Sequence, residues 1–94
     1  MRVHLCQVWG KNMGLHFIGN NPDLYDNIKR FVIYHNQWLN ANHHATVGAA
    51  HPFIQSDNRN YLFIEFWTSN HDAILAFVDL LAQEFNFKYD LEDF

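Results

Sequence analysis

Three side chains able to bind a metal or take part in nucleophilic chemistry fall within the first sixteen residues: His4, Cys6 and His16. They flank a segment containing Gly and Asn, which predicts the tight turn of a β-hairpin. A three-residue turn over Gly10 to Asn12 would place Cys6 opposite His16, with His4 on the same side two residues along. Histidine nitrogens and a thiolate hold Zn²⁺ in many proteins, whereas a two-residue turn would move His16 to the other face of the hairpin.

A second group of histidines, His43, His44 and His51, follows the first predicted helix. Zinc sites usually show short paired spacings such as Cys-x-x-Cys or His-x₃-His, and neither group of residues has one. The adjacent side chains of His43 and His44 point different ways in most backbone conformations. We therefore predict no cofactor, and a metal site built from these histidines and Cys6 is kept only as an alternative.

Cys6 could act as a nucleophile only with a lowered thiol pKa and a neighbouring base. His16 could be that base, but no residue is identifiable as the third group that would orient it. The four glycines are scattered rather than gathered in a phosphate-binding loop, and no serine stands in a nucleophile elbow. The prediction is a protein that is not an enzyme, with a small enzyme as the alternative.

Two helices are predicted from apolar side chains that recur at helical spacing. The first extends from Pro22 to Ala41, with Asn21 as its N-cap and Pro22 in the first turn, where the missing N–H costs nothing. The second extends from Asn70 to Phe85, with Ser69 as its N-cap. Each helix carries an apolar stripe, which must be covered by a sheet or by another helix.

Four strands complete the predicted pattern. Val3 to Trp9 pairs with Leu15 to Ile18 in one hairpin, and Pro52 to Gln55 pairs with Tyr61 to Trp67 in another. The order ββαββα predicts an α+β fold, a four-stranded antiparallel sheet with two helices on one face. A ferredoxin-like arrangement is the alternative if Leu15 to Ile18 is not a strand. The 94 residues correspond to a single domain, 1–94.

Segment 61–67 is apolar on both of its alternations, unlike a strand with one solvated face. One alternation can pack under the helices, which leaves Tyr61, Phe63, Glu65 and Trp67 on the opposite face. Aromatic side chains are enriched in interface cores, so this set predicts a surface that binds a second copy or another protein. Coverage of the strand by loops and the C-terminal tail is the alternative, and a ligand pocket is a further one.

The net charge of −4 is unevenly distributed along the chain. Residues 1–71 hold five basic and four acidic side chains, whereas residues 72–94 hold one basic and six acidic ones. An acidic C-terminal tail is predicted from about residue 88. Nucleic-acid binding requires a contiguous basic surface, so this distribution argues against direct DNA or RNA binding. The partner-binding acidic residues predicted from this segment are Asp79, Glu84, Asp90, Glu92 and Asp93.

These features predict a non-catalytic protein-binding or regulatory module, homodimeric, in a reducing cytoplasm. The single cysteine excludes an intrachain disulfide, and no apolar run approaches the roughly 20 residues that span a bilayer. One alternative is an acidic inhibitor of a nucleic-acid-handling complex that imitates a phosphate backbone. That alternative rests on an analogy of composition with phage anti-defence inhibitors such as anti-CRISPR proteins.

Overall fold

A computed structural model describes residues 1–42, 50 and 52–93 of the chain. The elements follow one another in the order ββαββαβ. The five strands are β1 (Arg2–Trp9), β2 (Asn12–Ile18), β3 (Pro52–Asn58), β4 (Tyr61–Phe66) and β5 (Asp90–Asp93). The two helices are α1 (Pro22–Asn42) and α2 (His71–Phe85). The predicted α+β class is confirmed.

The sheet is five-stranded and mixed, with the strand order β3-β4-β2-β1-β5, so the predicted four-stranded antiparallel sheet is wrong. β5 was expected to be part of an acidic tail. It pairs in parallel with β1, from Arg2 opposite Asp90 to Leu5 opposite Asp93. Leu91 of β5 packs against the core, so β5 is held by an apolar contact as well as by its pairing with β1. The ferredoxin-like alternative required Leu15 to Ile18 not to be a strand, but that segment belongs to β2.

Both helix starts lie close to their predicted positions. The carbonyl of Asn21 accepts the N–H of Tyr25 at 3.0 Å, the first backbone bond of α1. At α2 the N-cap is Asn70 rather than Ser69, and its side chain accepts the N–H of Ala73 at 3.2 Å. An Asn side chain satisfies this otherwise unpaired helix donor as well as a Ser side chain would.

The core lies on one face of the sheet. Its fully buried strand residues alternate with period two, as a sheet covered on that side requires. Buried residues of both helices belong to the same cluster, including Ile28 of α1 and Phe77 of α2. The strand members with at most 1% exposure are Val3, Leu5, Leu15, Phe17, Leu62, Ile64 and Phe66.

The opposite face of the sheet is called the open face below. The strand alternation and the pairing registers place both residues of every second pair there. Its members are Arg2, His4, Cys6, Trp9, Asn12, Gly14, His16, Ile18, Phe53, Ser56, Asn58, Tyr61, Phe63, Glu65, Asp90 and Glu92. Over the residues described, neither helix combines the length and apolar character that crossing a lipid bilayer requires.

Candidate docking face and its histidine–cysteine cluster

The turn between β1 and β2 determines which side chains share the open face. Trp9 pairs with Asn12, so the turn has two residues and the predicted three-residue turn is wrong. A β-bulge between Gln7 and Trp9 adds a residue to β1 and compensates for the shorter turn. As a result His16 stays on the predicted face, although it stands opposite His4 rather than Cys6.

Cys6, His16 and Tyr61 form a connected cluster at the centre of the open face. The Cys6 Sγ lies 3.1 Å from His16 Nε2. The other ring nitrogen of His16, Nδ1, hydrogen-bonds the Tyr61 hydroxyl. Tyr61 therefore occupies the position of the third, orienting group for which the sequence offered no candidate. Only the pairing of β2 with β4, which is long-range in the chain, brings it there.

Burial favours the neutral form of every member of this cluster. It raises the pKa of the Cys6 thiol and of the Tyr61 hydroxyl, which the nearby Cys6 raises further. Burial, followed by the charge on His4, lowers the pKa of His16. A neutral His16 carries a single ring proton, so one of its nitrogens donates in these two hydrogen bonds and the other accepts. The cluster is thus a neutral hydrogen-bonded chain, whereas a reactive cysteine requires a thiolate.

Cys6 is expected to react with iodoacetamide more slowly at pH 8 than a free cysteine in the same buffer. The physical reason is its raised pKa, because only the thiolate attacks. Unfolding in urea should bring the rate to that of the free amino acid. A folded-state rate equal to or above the free value would mean that His16 withdraws the thiol proton, and would return Cys6 to the candidates for catalysis.

His4 and Glu92 lie beside this cluster, toward the β5 edge. His4 is buried, at 7% exposure, and its Nδ1 lies 3.3 Å from Glu92 Oε2. The Arg2 Nε lies 3.2 Å from Glu92 Oε1, and its hydrogen bond lowers the pKa of Glu92. An acidic residue predicted to bind a partner is therefore paired within its own chain.

Glu65 is the other charged residue enclosed by the open face, with 6% of its surface exposed. Its carboxylate accepts the side-chain amides of Asn12 at 2.8 Å and Gln55 at 3.2 Å. Each carboxylate oxygen thus accepts one hydrogen bond. Buried polar groups need such partners, because an unpaired one destabilises the folded state. Little of the carboxylate is accessible, so its first role here is to fix the neighbouring strands.

The aromatic residues of the open face differ in exposure. Tyr61 and Phe63 are half-buried, and the Phe63 ring centroid lies 4.2 Å from that of His16. Trp67 is 68% exposed and contacts the Phe53 ring edge-on at 5.6 Å. Trp9 is 80% exposed, although strict alternation from Val3 and Leu5 would place it on the core face. The β-bulge explains this, because it places Trp9 opposite Asn12 on the open face.

Of the acidic residues predicted to bind a partner, the four whose side chains are described lie on two different elements. Asp79 and Glu84 lie on α2, in the helix layer, whereas Asp90 and Glu92 lie on β5. The Tyr89 hydroxyl donates to Asp79 at 2.5 Å; burial and then this bond raise the pKa of Tyr89 to about 12. The Asp93 side chain lies outside the described residues. Imitation of a phosphate backbone stays a prediction.

The metal-site alternative concerns two groups of residues. Among the side chains that the structure describes, no group of three or more His, Cys, Asp or Glu is arranged to hold a metal ion. His43, His44 and His51 lie outside the described residues, and a site that includes them stays a prediction. Within the described part, Cys6 is hydrogen-bonded to His16, and His4 is paired with Glu92.

The sequence matches no model of a known protein family, and no characterised protein is significantly similar to it.

Proposed function

We propose that this chain is a small, non-catalytic protein-binding module that forms a homodimer through its open face. The observation that carries the proposal is where the apolar surface lies. Six large hydrophobic residues are exposed in the described part of the chain. Four of them, Val8, Trp9, Ile18 and Trp67, lie on the open face or at its border. Concentrated apolar surface of this kind usually marks a contact site.

Charge favours a second copy of the chain as the occupant. The centre of the face, formed by Cys6, His16, Tyr61 and Phe63, is uncharged near neutral pH. Arg2 is paired with Glu92 at one corner, and Glu65 is enclosed. Two copies related by a two-fold axis can therefore meet without an unpaired like charge at the centre of the contact. The acidic residues of α2 lie in the helix layer, on the opposite side of the sheet from the open face.

The size of the face predicts a weak dimer. The five strands are four to eight residues long and comprise 32 residues, so at about 3.3 Å per residue and about 4.8 Å between strands they cover roughly 500 Å² per copy. A standard interface buries about 800 Å² per partner. Since the face lies below that value, we expect a dissociation constant in the micromolar range or above, and the mass must be measured at several concentrations.

The average mass of the wild-type protein is expected to rise from 11.2 kDa toward twice that value as the protein concentration increases. Replacing Trp9 and Trp67 together by serine should prevent this rise. Tryptophan is enriched among interface hot spots, where truncation costs about 2 kcal/mol or more, or about 30-fold in dissociation constant. Static light scattering over a concentration series measures the mass. Circular dichroism checks that the fold is retained, as expected for two exposed side chains.

The matched control replaces Ile33 and Tyr34 of α1 by serine. These residues are 67% and 60% exposed, so the control removes comparable apolar surface from the other layer. The proposal requires this control to dimerise like the wild type. Equal loss of dimer in both variants, or a monomer at all concentrations of the wild type, would contradict it.

A further inference from the structure

Two histidines stand directly opposite each other at the centre of the open face, His4 on β1 and His16 on β2. Opposed side chains on paired strands have Cβ atoms about 5 Å apart. Histidine is the side chain whose usual pKa lies closest to physiological pH. A proton taken up by His16 at mildly acid pH would therefore add charge at the point where the proposed interface is otherwise uncharged.

The ionisable groups facing His16 come from both neighbouring strands. From β1 they are Cys6 and His4, and from β4 they are Tyr61 and, one pair along, Glu65. The Glu65 carboxylate is held by two amides. Phe63 contributes the apolar ring that covers the imidazole. Both helices lie beyond the other face of the sheet, so among the residues that the structure describes these sheet residues make up the charge environment of His16.

The two histidines have different surroundings. His4 Nδ1 lies 3.3 Å from the Glu92 carboxylate, whereas the hydrogen-bond partners of His16 are neutral. The charge on His4 adds to the burial that lowers the pKa of His16. A charged His16 cannot accept a hydrogen bond from either Cys6 or Tyr61, because both ring nitrogens are then donors.

We propose that protonation of His16, which stands opposite His4, separates the two copies of the chain at mildly acid pH. This inference rests on the proposed homodimer. Apposition of two open faces removes water from both pairs, and a charge enclosed in this way is costly unless it is paired. The dimer must therefore form with His16 neutral in each copy, and proton uptake favours the monomer by linkage.

The direction and the steepness of the pH dependence of the dissociation constant follow from that linkage. The dimer binds fewer protons than two monomers, so it weakens as the pH falls below the His16 pKa of the monomer. Below that pKa, each copy must lose one proton when the dimer forms, and this raises the dissociation constant about tenfold for each unit by which the pH falls. Two copies together raise it about a hundredfold per pH unit. Above that pKa the dissociation constant should not change with pH.

The experiment measures the dissociation constant by sedimentation equilibrium at pH 7.5, 6.5, 5.5 and 5.0. Wild-type protein should show the steep rise in dissociation constant toward acid pH. His16→Gln should show a much flatter profile, because glutamine cannot take up a proton. His71→Gln is the control, since His71 is an exposed histidine at the start of α2 and should leave the wild-type profile unchanged.

A dimer whose dissociation constant is the same at pH 7.5 and 5.0 overturns the inference while the proposed function stands. A steep profile that persists in His16→Gln also overturns it, because another group then takes up the proton. Should the wild type be monomeric at every pH, the proposed function fails, and this inference, which rests on it, fails with it.

Discussion

Replacement of Phe66 by alanine is expected to lower the free energy of unfolding by about 3–5 kcal/mol. Phe66 is fully buried at the end of β4, between Met13 of β2 and Pro52 of β3. Its ring meets Phe77 of α2 edge-on at 5.7 Å, so the substitution leaves a cavity between the sheet and a helix. Small domains are stable by only about 5–15 kcal/mol. Urea denaturation followed by circular dichroism measures the loss.

Trp67 is the matched control because it is the next residue and also a large aromatic one. Its 68% exposure predicts that Trp67→Ala changes the free energy of unfolding by about 0.5 kcal/mol or less. The two variants together test the assignment of sheet faces. Equal losses in the two variants would mean that the alternation of β4 is shifted, and with it the identity of the open face.

The helices were predictable because their signals are local. Pro22 begins α1 as the sequence indicates, and Phe85 ends α2. Asn86 follows with φ of 54°, a left-handed conformation that Asn tolerates. The cap of α2 was misplaced by one residue because Ser69 and Asn70 are both good caps. Local sequence does not decide between two adjacent residues of that kind.

β5 was missed because its stability depends on distant residues. Four residues, three of them acidic, resemble a solvated tail when considered alone. The segment becomes a strand because Met1 and Arg2 lie beside it: the N–H of Asp90 donates to the carbonyl of Met1 at 2.9 Å, and Glu92 pairs with Arg2. Contacts separated by about ninety residues leave no periodic pattern in the sequence.

The candidate site was predicted in part. Its histidines and cysteine were selected from the residue types, and their common face followed from a turn length that proved wrong. The β-bulge keeps His16 on the same face as His4 and Cys6 despite the shorter turn, but nothing in the order of residues 7–9 specifies a bulge. Tyr61 was predicted only to bind a partner. Its hydrogen bond with His16 was not predicted, because it depends on the register between β2 and β4. Hydrophobic pattern thus predicted the face, whereas register determined its chemistry.

Gly14 lies within the open face, where a methyl group should be costly. A Cβ at this position would stand 2.5 Å from Val8 Cγ2 and 2.7 Å from Phe63 Cε1. Both distances are well below ordinary contact, so Val8 and the Phe63 ring must move apart. Overpacking of this kind costs about 1–3 kcal/mol, and we expect Gly14→Ala to lower the free energy of unfolding by that amount in urea denaturation.

The second-site control for this prediction is Val8→Ala. Val8 is 39% exposed, so its truncation alone should cost little, but it removes the nearer of the two clashing atoms. The double variant should therefore recover part of the loss, with a coupling free energy of about 0.5 kcal/mol or more. Strict additivity would show that Val8 does not lie against Gly14. In that case the bulge would not direct Val8 onto the open face, and Val8 would be removed from the proposed interface.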